Sequence, residues 1–240
     1  LFESICRPDV PPFLFPVPGV TIGAVTRMIV LRKAIAEGTA QPADIAEYET
    51  ESARREKAIA EATDQSAEAI IAARGDKLHI SGMWGVLHQV AEEVRRRGYS
   101  AKDFHPENSI VLAGGLKRAA LPENYQELLF GTFNLSKPYI YNFYAMQEIQ
   151  TCMPRCQAGE RYHLPPWLVC LPLDKEGEAL LPGVGEGKVV GRAAFFDLSL
   201  DGRWGGIISG DRIEIDYAPC KCGNASPSIG LDIQRYADIE

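Results

Sequence analysis

Cys156 and His163, with six residues between them, and the turn Cys220-Lys-Cys222-Gly223 further on, supply three thiols and one imidazole. That is the ligand set of a closed structural zinc site, in which four protein donors leave no position for substrate. Cys152 lies four residues before Cys156 and competes with it for the first ligand position. The rival reading is four ordinary reduced side chains. The two halves are far apart in sequence, so one shared ion would tie the last third of the chain together.

A second group of residues falls at the ends of expected strands. Ser109-Ile-Val-Leu-Ala113 reads as a buried strand ending in Gly114-Gly115, with Lys117 two residues on. Tyr139-Ile-Tyr-Asn-Phe143 reads as another, followed by Tyr144 and Glu148. In parallel sheets ligands collect at the carboxyl ends of strands. A glycine pair lets a ring or phosphate lie against bare backbone, and a carboxylate suits Mg²⁺. Taken singly these signals are weak, since a glycine pair is often a plain turn and a lone Glu a surface residue. His79 and His88 fall on a strand and a helix as core or rim residues, and His105 precedes Pro106 in a loop. No Ser-His-Asp constellation follows from their order.

The elements that must hold these groups follow from periodicity. Residues 1–75 read as a Pro-rich connection (Pro8, Pro11, Pro12, Pro16, Pro18) and a long helix from Pro42 to Arg74, interrupted near Thr63-Asp-Gln-Ser66. Proline is excluded from helix interiors, which makes the first stretch extended. Residues 76–150 alternate strand and helix: Lys77 to Ser81, a helix from Trp84 to Arg97, Ser109 to Ala113, Asn124 to Leu129, and Tyr139 to Phe143. Trp84, Leu87, Ala91 and Val94 form one apolar helical stripe, and Gly98 supplies the stop. Such alternation predicts an α/β fold with a mostly parallel sheet and flanking helices. Residues 151–240 read as a small antiparallel β subdomain. Its strand-like runs, Leu168 to Leu171, Lys188 to Phe196 and Arg212 to Tyr217, are parted by turns such as Leu181 to Gly187.

Composition narrows the class. The chain has 240 residues, 46% hydrophobic and 24% charged, with a net charge of −7 and a pI near 5.3. No basic stripe exists beyond Arg95-Arg96-Arg97, which reads as a solvated helix terminus, so nucleic acid is not an expected partner. No apolar run reaches the ~20 residues of a membrane span. Six unevenly spaced cysteines fit metal ligands and buried thiols better than a secreted disulfide framework, so the expected compartment is cytoplasmic. Cys170, within Trp167-Leu-Val-Cys-Leu171, reads as a buried strand residue.

The order strand–Gly-Gly, strand–Tyr-x-x-x-Glu, then Trp204-Gly-Gly-Ile-Ile-Ser-Gly210-Asp211 resembles the second half of the adenylation core in the adenylate-forming superfamily. It looks most like the branch of phenylacetate–CoA ligases and the acyl-protein synthetase of bacterial luminescence. That branch has Tyr-Gly-x-x-Glu where this chain has Tyr144-Ala-Met-Gln-Glu148. The likeness continues through Cys156, His163-x-Pro165-x-Trp167, Leu181 to Gly185, Gly210-Asp211 and Cys220-x-Cys222-Gly223, and covers roughly Lys77 to Arg235. It also favours Cys156 over Cys152, by the distance to His163.

The resemblance implies a part of an ATP-dependent carboxylic acid ligase. Such an enzyme forms an acyl-adenylate from a carboxylic acid and passes the acyl group to CoA or another carrier thiol. Glu148 would hold Mg²⁺ and phosphate, and Asp211 would accept from the ribose hydroxyls of ATP. Gly114, Gly115 and Tyr144 would wall the adenine and acyl pocket, and Arg235 would be the arginine near the hinge. The family's Ser/Thr/Gly-rich phosphate loop and its C-terminal lysine have no counterpart in these 240 residues. The expectation is a middle portion of a larger ligase, inactive alone. The alternatives are a non-catalytic nucleotide- or acyl-binding relative, and a zinc-stabilised interaction module.

Overall fold

The computed structural model describes residues 7–113, 120–201 and 206–239. The chain divides into two compact units, one built from residues 1–80, 85–109 and 119–139, the other from 81–84, 110–118 and 140–240. These limits cut across the divisions drawn at 75 and 150. Short helices after residues 84 and 119 group with the long N-terminal helix, because apolar stripes bury where partners exist and not in sequence order.

The first unit is helical. Helix α1, Ile22–Ala36, begins where Thr21 Oγ1 accepts from the Ala24 N–H at 3.2 Å. Helix α2 spans Pro42–Ala72, with Pro42 at its first turn and the Asp44 carboxylate accepting from Gln41 N–H at 3.1 Å. Arg27 joins the two, its guanidinium donating to Glu47 Oε1 and Asp44 Oδ1 at 3.0 Å each. The break expected at Thr63–Ser66 is absent: α2 runs straight through it. Ser66 Oγ donates to the Ala62 carbonyl at 2.7 Å, a bond that satisfies the hydroxyl inside the helix.

Helix α3, Trp84–Arg96, carries the expected stripe, with Leu87, Val90, Ala91 and Val94 all buried. Helix α4 spans Tyr125–Thr132. Fully buried Asn108 is the polar knot of this unit. It accepts from Leu78 N–H at 2.7 Å and donates to the Phe133 carbonyl at 3.0 Å, so both ends of its buried amide are paired.

The second unit is organised by a sheet. Its strands are β1 (His79–Gly82), β2 (Ser109–Ala113), β3 (Ile140–Tyr144), β4 (Met153–Cys156), β5 (Arg161–His163), β6 (Leu168–Leu173), β7 (Lys188–Asp197), β8 (Gly206–Asp216), β9 (Ser228–Gly230) and β10 (Gln234–Arg235). A short helix, α5, follows at Tyr236–Ile239. The order is β1-β2-β3-β4-β5-β9-β8-β7-β6, with β10 beside β8. Strands β2 and β3 pair parallel, Ile110 opposite Ile140. From β3 onward the pairing turns antiparallel. The fold is therefore α/β, parallel strands with helices leading into antiparallel β structure, as the strand–helix rhythm predicts.

Alternation along β7 and β8 places Ala193, Phe195, Ile213 and Ile215 in one core with Met153, Leu164, Leu168, Cys170 and Ile229. Each large side chain there contributes roughly 1.5–3 kcal/mol by leaving water. Cys170 is a buried strand residue, as read from sequence, and burial pushes its thiol well above the usual range. Strand β8 starts six residues earlier than expected, so Asp211 lies within a strand and not at the end of one. Its Ile-Ile-Ser-Gly-Asp run is short and glycine-broken, which hides the alternation.

Candidate functional site

Antiparallel geometry brings the cysteines and histidine together. Strand β4 ends on Cys156, the hairpin returns through β5 to His163, and β9 pairs with β5 so that Ser228 faces His163. The segment leading into β9 therefore hangs its Cys220–Cys222 turn over the hairpin. The turn closes by Gly223 N–H donating to the Cys220 carbonyl at 2.8 Å, with Gly223 at φ 89°, a left-handed angle natural to glycine. Ligand atoms of Cys156, His163, Cys220 and Cys222 all lie within 4.8 Å of one another. Cys220 and Cys156 sulfurs are 3.9 Å apart, and Cys222 Sγ is 3.7 Å from His163 Nε2. Tetrahedral bonds of ~2.3 Å to sulfur and ~2.0 Å to nitrogen require edges of roughly 3.5–3.8 Å, which these two distances approach, so the four residues could hold one Zn²⁺. Cys152 is exposed and outside the cluster.

The surroundings suit that chemistry. The Gly159 N–H donates to Cys156 Sγ at 3.3 Å and holds its thiol below the ordinary value. A Cβ added at Gly159 would stand 2.2 Å from Cys220 Sγ, so only glycine allows the sulfurs to meet. Asn224 contacts His163 Nδ1 at 3.2 Å, and its backbone carbonyl accepts from Cys220 N–H at 2.8 Å. Partners of this kind orient metal-binding imidazoles. Below the cluster, Arg161 donates to Glu214 at 2.8 Å and to Ser228 Oγ at 2.9 Å, locking β5, β8 and β9 in register.

A second constellation gathers Tyr144, Asp211 and Arg235. Arg235 is the cross-strand partner of Asp211 in the β8–β10 ladder. Its Nε lies 3.5 Å from Asp211 Oδ1, and the Tyr144 hydroxyl donates to Oδ2 at 2.5 Å. Asp211 is buried, whereas Arg235 is 72% exposed. The Tyr144 ring packs at 6.0 and 6.1 Å from Tyr162 and Phe195. Burial, with the Asp211 carboxylate beside it, pushes its phenol far above the usual range, so it stays a donor. The arrangement presents a carboxylate, a phenol and a guanidinium within one hydrogen-bonding cluster, a set able to hold vicinal hydroxyls.

Glu148 is exposed on the turn after β3, between Met146, packed on the core, and buried Ile149. Ala145, in the place of the family's glycine, is not among the residues at positive φ, so the substitution carries no backbone strain. Gly114 and Gly115 lie outside the described residues, as does Trp204.

The residue that sequence reasoning missed is Asp197. It is 1% exposed at the end of β7, and its carboxylate accepts from Gln150 and Thr151 N–H at 3.0 and 2.9 Å and from Ser199 N–H at 2.9 Å. Burial alone would raise its pKa; the hydrogen bonds from Ser199 and Thr151 outweigh that and hold it at about 2. Asp197 pins the chain two residues beyond Glu148. The Asp-x-Ser spacing of an Asx turn was its one signal in the sequence.

No protein-family model matches the chain, and no curated protein does. Among solved structures it is similar to an open conformation of 2-hydroxyisobutyryl-CoA ligase in complex with 2-HIB-AMP and CoA. The TM-score is 0.55 at 12% identity, over 72% of this chain and 36% of the ligase. MatB from Rhodopseudomonas palustris, bound to ATP, overlaps 68% of the chain and 32% of its own length, with a TM-score of 0.45 and 15% identity. The fold is similar to that of part of this 2-hydroxyisobutyryl-CoA ligase. The chain spans about a third of the length of these structures. No helix among the described residues is long and apolar enough to cross a membrane.

Proposed function

We propose that the chain is a segment of an ATP-dependent carboxylic acid ligase, of the phenylacetate–CoA ligase and luminescence acyl-protein synthetase branch. Its reaction joins a carboxylic acid to the α-phosphate of ATP with release of pyrophosphate; CoA or another thiol then displaces AMP. The observation that carries this reading is the Tyr144–Asp211–Arg235 cluster inside a ligase-like fold. Asp211 accepts from both ribose hydroxyls, exchanging its bonds to Tyr144 and Arg235 for bonds to the sugar. Glu148, exposed on a loop that Asp197 fixes, supplies a carboxylate to the Mg²⁺ that accompanies the phosphates. The resemblance assigns Gly114 and Gly115, which lie outside the described residues, to the adenine side of the pocket.

Cys156, His163, Cys220 and Cys222 hold one structural Zn²⁺ in the same reading. With four protein donors the ion has no open position and supplies stability, not Lewis-acid chemistry. It joins the β4–β5 hairpin to the segment entering β9, within the unit that carries Asp211.

Nucleotide selectivity tests the proposal. In equilibrium titrations of the purified chain with Mg²⁺, ATP binds saturably and in preference to CTP. Equal binding of the two, or none, removes the ligase reading.

A further inference from the structure

Among the described residues Cys152 and Cys222 are the exposed cysteines, Cys170 and Cys220 are buried, and Cys156 is intermediate. The two exposed thiols differ in their neighbours. Cys152 stands outside the Cys/His cluster. Cys222 is the solvent-facing member of it, its Sγ 3.7 Å from His163 Nε2 and within 4.8 Å of the sulfurs of Cys156 and Cys220.

Zinc keeps its cysteine ligands as thiolates, the form that attacks oxidants. Exposure then selects where an oxidant enters. A second thiol close behind lets the oxidised sulfur be captured as a disulfide before it climbs to irreversible states. Cys222 meets both conditions. Cys152 meets only the first, and buried Cys220 only the second.

We propose that Cys222 is an oxidation site through which hydrogen peroxide opens the zinc cluster. The inference rests on the zinc reading and is independent of the nucleotide one. The Cys222 thiolate attacks one peroxide oxygen: an S–O bond forms, the O–O bond breaks, and the departing hydroxide takes a proton to become water. The Cys156 thiolate then attacks the sulfenic sulfur of Cys222. An S–S bond forms, the S–O bond breaks, and a second hydroxide leaves as water. The two sulfurs together give up two electrons, and peroxide is reduced to two waters.

Cys156 is the second sulfur because of the turn. A Cys220–Cys222 bond would have to close inside the turn held by the Gly223 N–H, where the usual Cα separation and torsion are hard to reach. His163 and Cys220 are then the remaining donors, short of the four of a closed site, so the ion is released. The new disulfide keeps the β4–β5 hairpin joined to the segment entering β9, and a thiol reductant reverses the opening by exchange.

Peroxide treatment of the purified, zinc-loaded chain tests it. Released zinc is read with a chromogenic chelator, free thiols are counted, and modified cysteines are mapped by mass spectrometry. The expected result is loss of one zinc and two thiols per chain, with a Cys156–Cys222 disulfide. Dimedone present during oxidation should add at Cys222. Dithiothreitol with added zinc should restore the metal content, and Cys152→Ser should release zinc at the wild-type rate. Zinc release without that disulfide, or a disulfide or release that requires Cys152, overturns the proposal. A chain isolated without zinc removes the zinc reading and this proposal with it. A zinc-bearing chain that keeps its ion in peroxide removes this proposal alone.

Discussion

Arg235 stands directly across the β8–β10 ladder from Asp211, and the two side chains meet at 3.5 Å while Tyr144 takes the other carboxylate oxygen. The three residues are 67 and 24 positions apart in sequence, yet two neighbouring strands and the end of β3 deliver them to one point. The partners differ in weight. The Tyr144 bond is largely withdrawn from solvent, and the Arg235 pair is open to it.

Replacing Tyr144 by Phe should therefore cost about 1.5–3 kcal/mol of stability, the range for a hydrogen bond to a charged group. Replacing Arg235 by Ala should cost less than about 1 kcal/mol, since exposed ion pairs contribute little. Urea unfolding of the two variants checks the ordering. Equal losses would mean that the Tyr144 hydroxyl is not an anchor of Asp211.

Asp197 predicts an acid limit. Its folded-state pKa of about 2 lies below the ordinary 3.8, so its contribution is fully present above the unfolded value and is lost as pH falls from about 4 towards 2. Asp197→Asn should lower stability at pH 7 by roughly 2 kcal/mol, because the amide cannot accept all the N–H bonds. The gap between wild type and variant should shrink below pH 4 in thermal unfolding series. A gap independent of pH would show that the carboxylate charge plays no part.

Gly159 predicts a steric gate on the metal. Alanine there places Cβ 2.2 Å from Cys220 Sγ, so Gly159→Ala should abolish stoichiometric zinc and lower the unfolding temperature as much as chelation does. Elemental analysis of protein purified without chelator should give one zinc per wild-type chain and almost none in the variant. Zinc-free wild type, or zinc retained in the variant, contradicts the assignment.

Catalysis makes a negative prediction. Adenylation needs donors for the developing charge at the α-phosphate, and these 240 residues hold no Ser/Thr/Gly-rich phosphate loop. Pyrophosphate exchange with a panel of carboxylic acids should stay at background for this chain alone. Exchange above background would place the missing donors within it.

What the sequence revealed depended on how local each signal was. The α3 stripe at Trp84, Leu87, Ala91 and Val94 was legible because a single periodicity encodes it. The Cys/His set was legible because ligand chemistry is carried by residue type, and the sheet brings those residues within 4.8 Å. Helix α1 was hidden: its apolar residues are spread over every side, with Leu31 the one it buries, so it shows no amphipathic period. The polar run at Thr63–Ser66 looked like a break because propensity ignores the bond from Ser66 back to Ala62. Asp197 was invisible, since its importance comes from backbone donors 46 and 47 residues away.

The ligase reading rests on Asp211 as the ribose acceptor, and one titration addresses it. Calorimetry of Mg²⁺·ATP into wild type and Asp211→Asn should show saturable binding by the first and affinity lower by about tenfold or more in the second, about 1.4 kcal/mol. Thermal unfolding run alongside should show both proteins folded at the titration temperature. Folded Asp211→Asn that binds Mg²⁺·ATP as tightly as wild type would contradict the account.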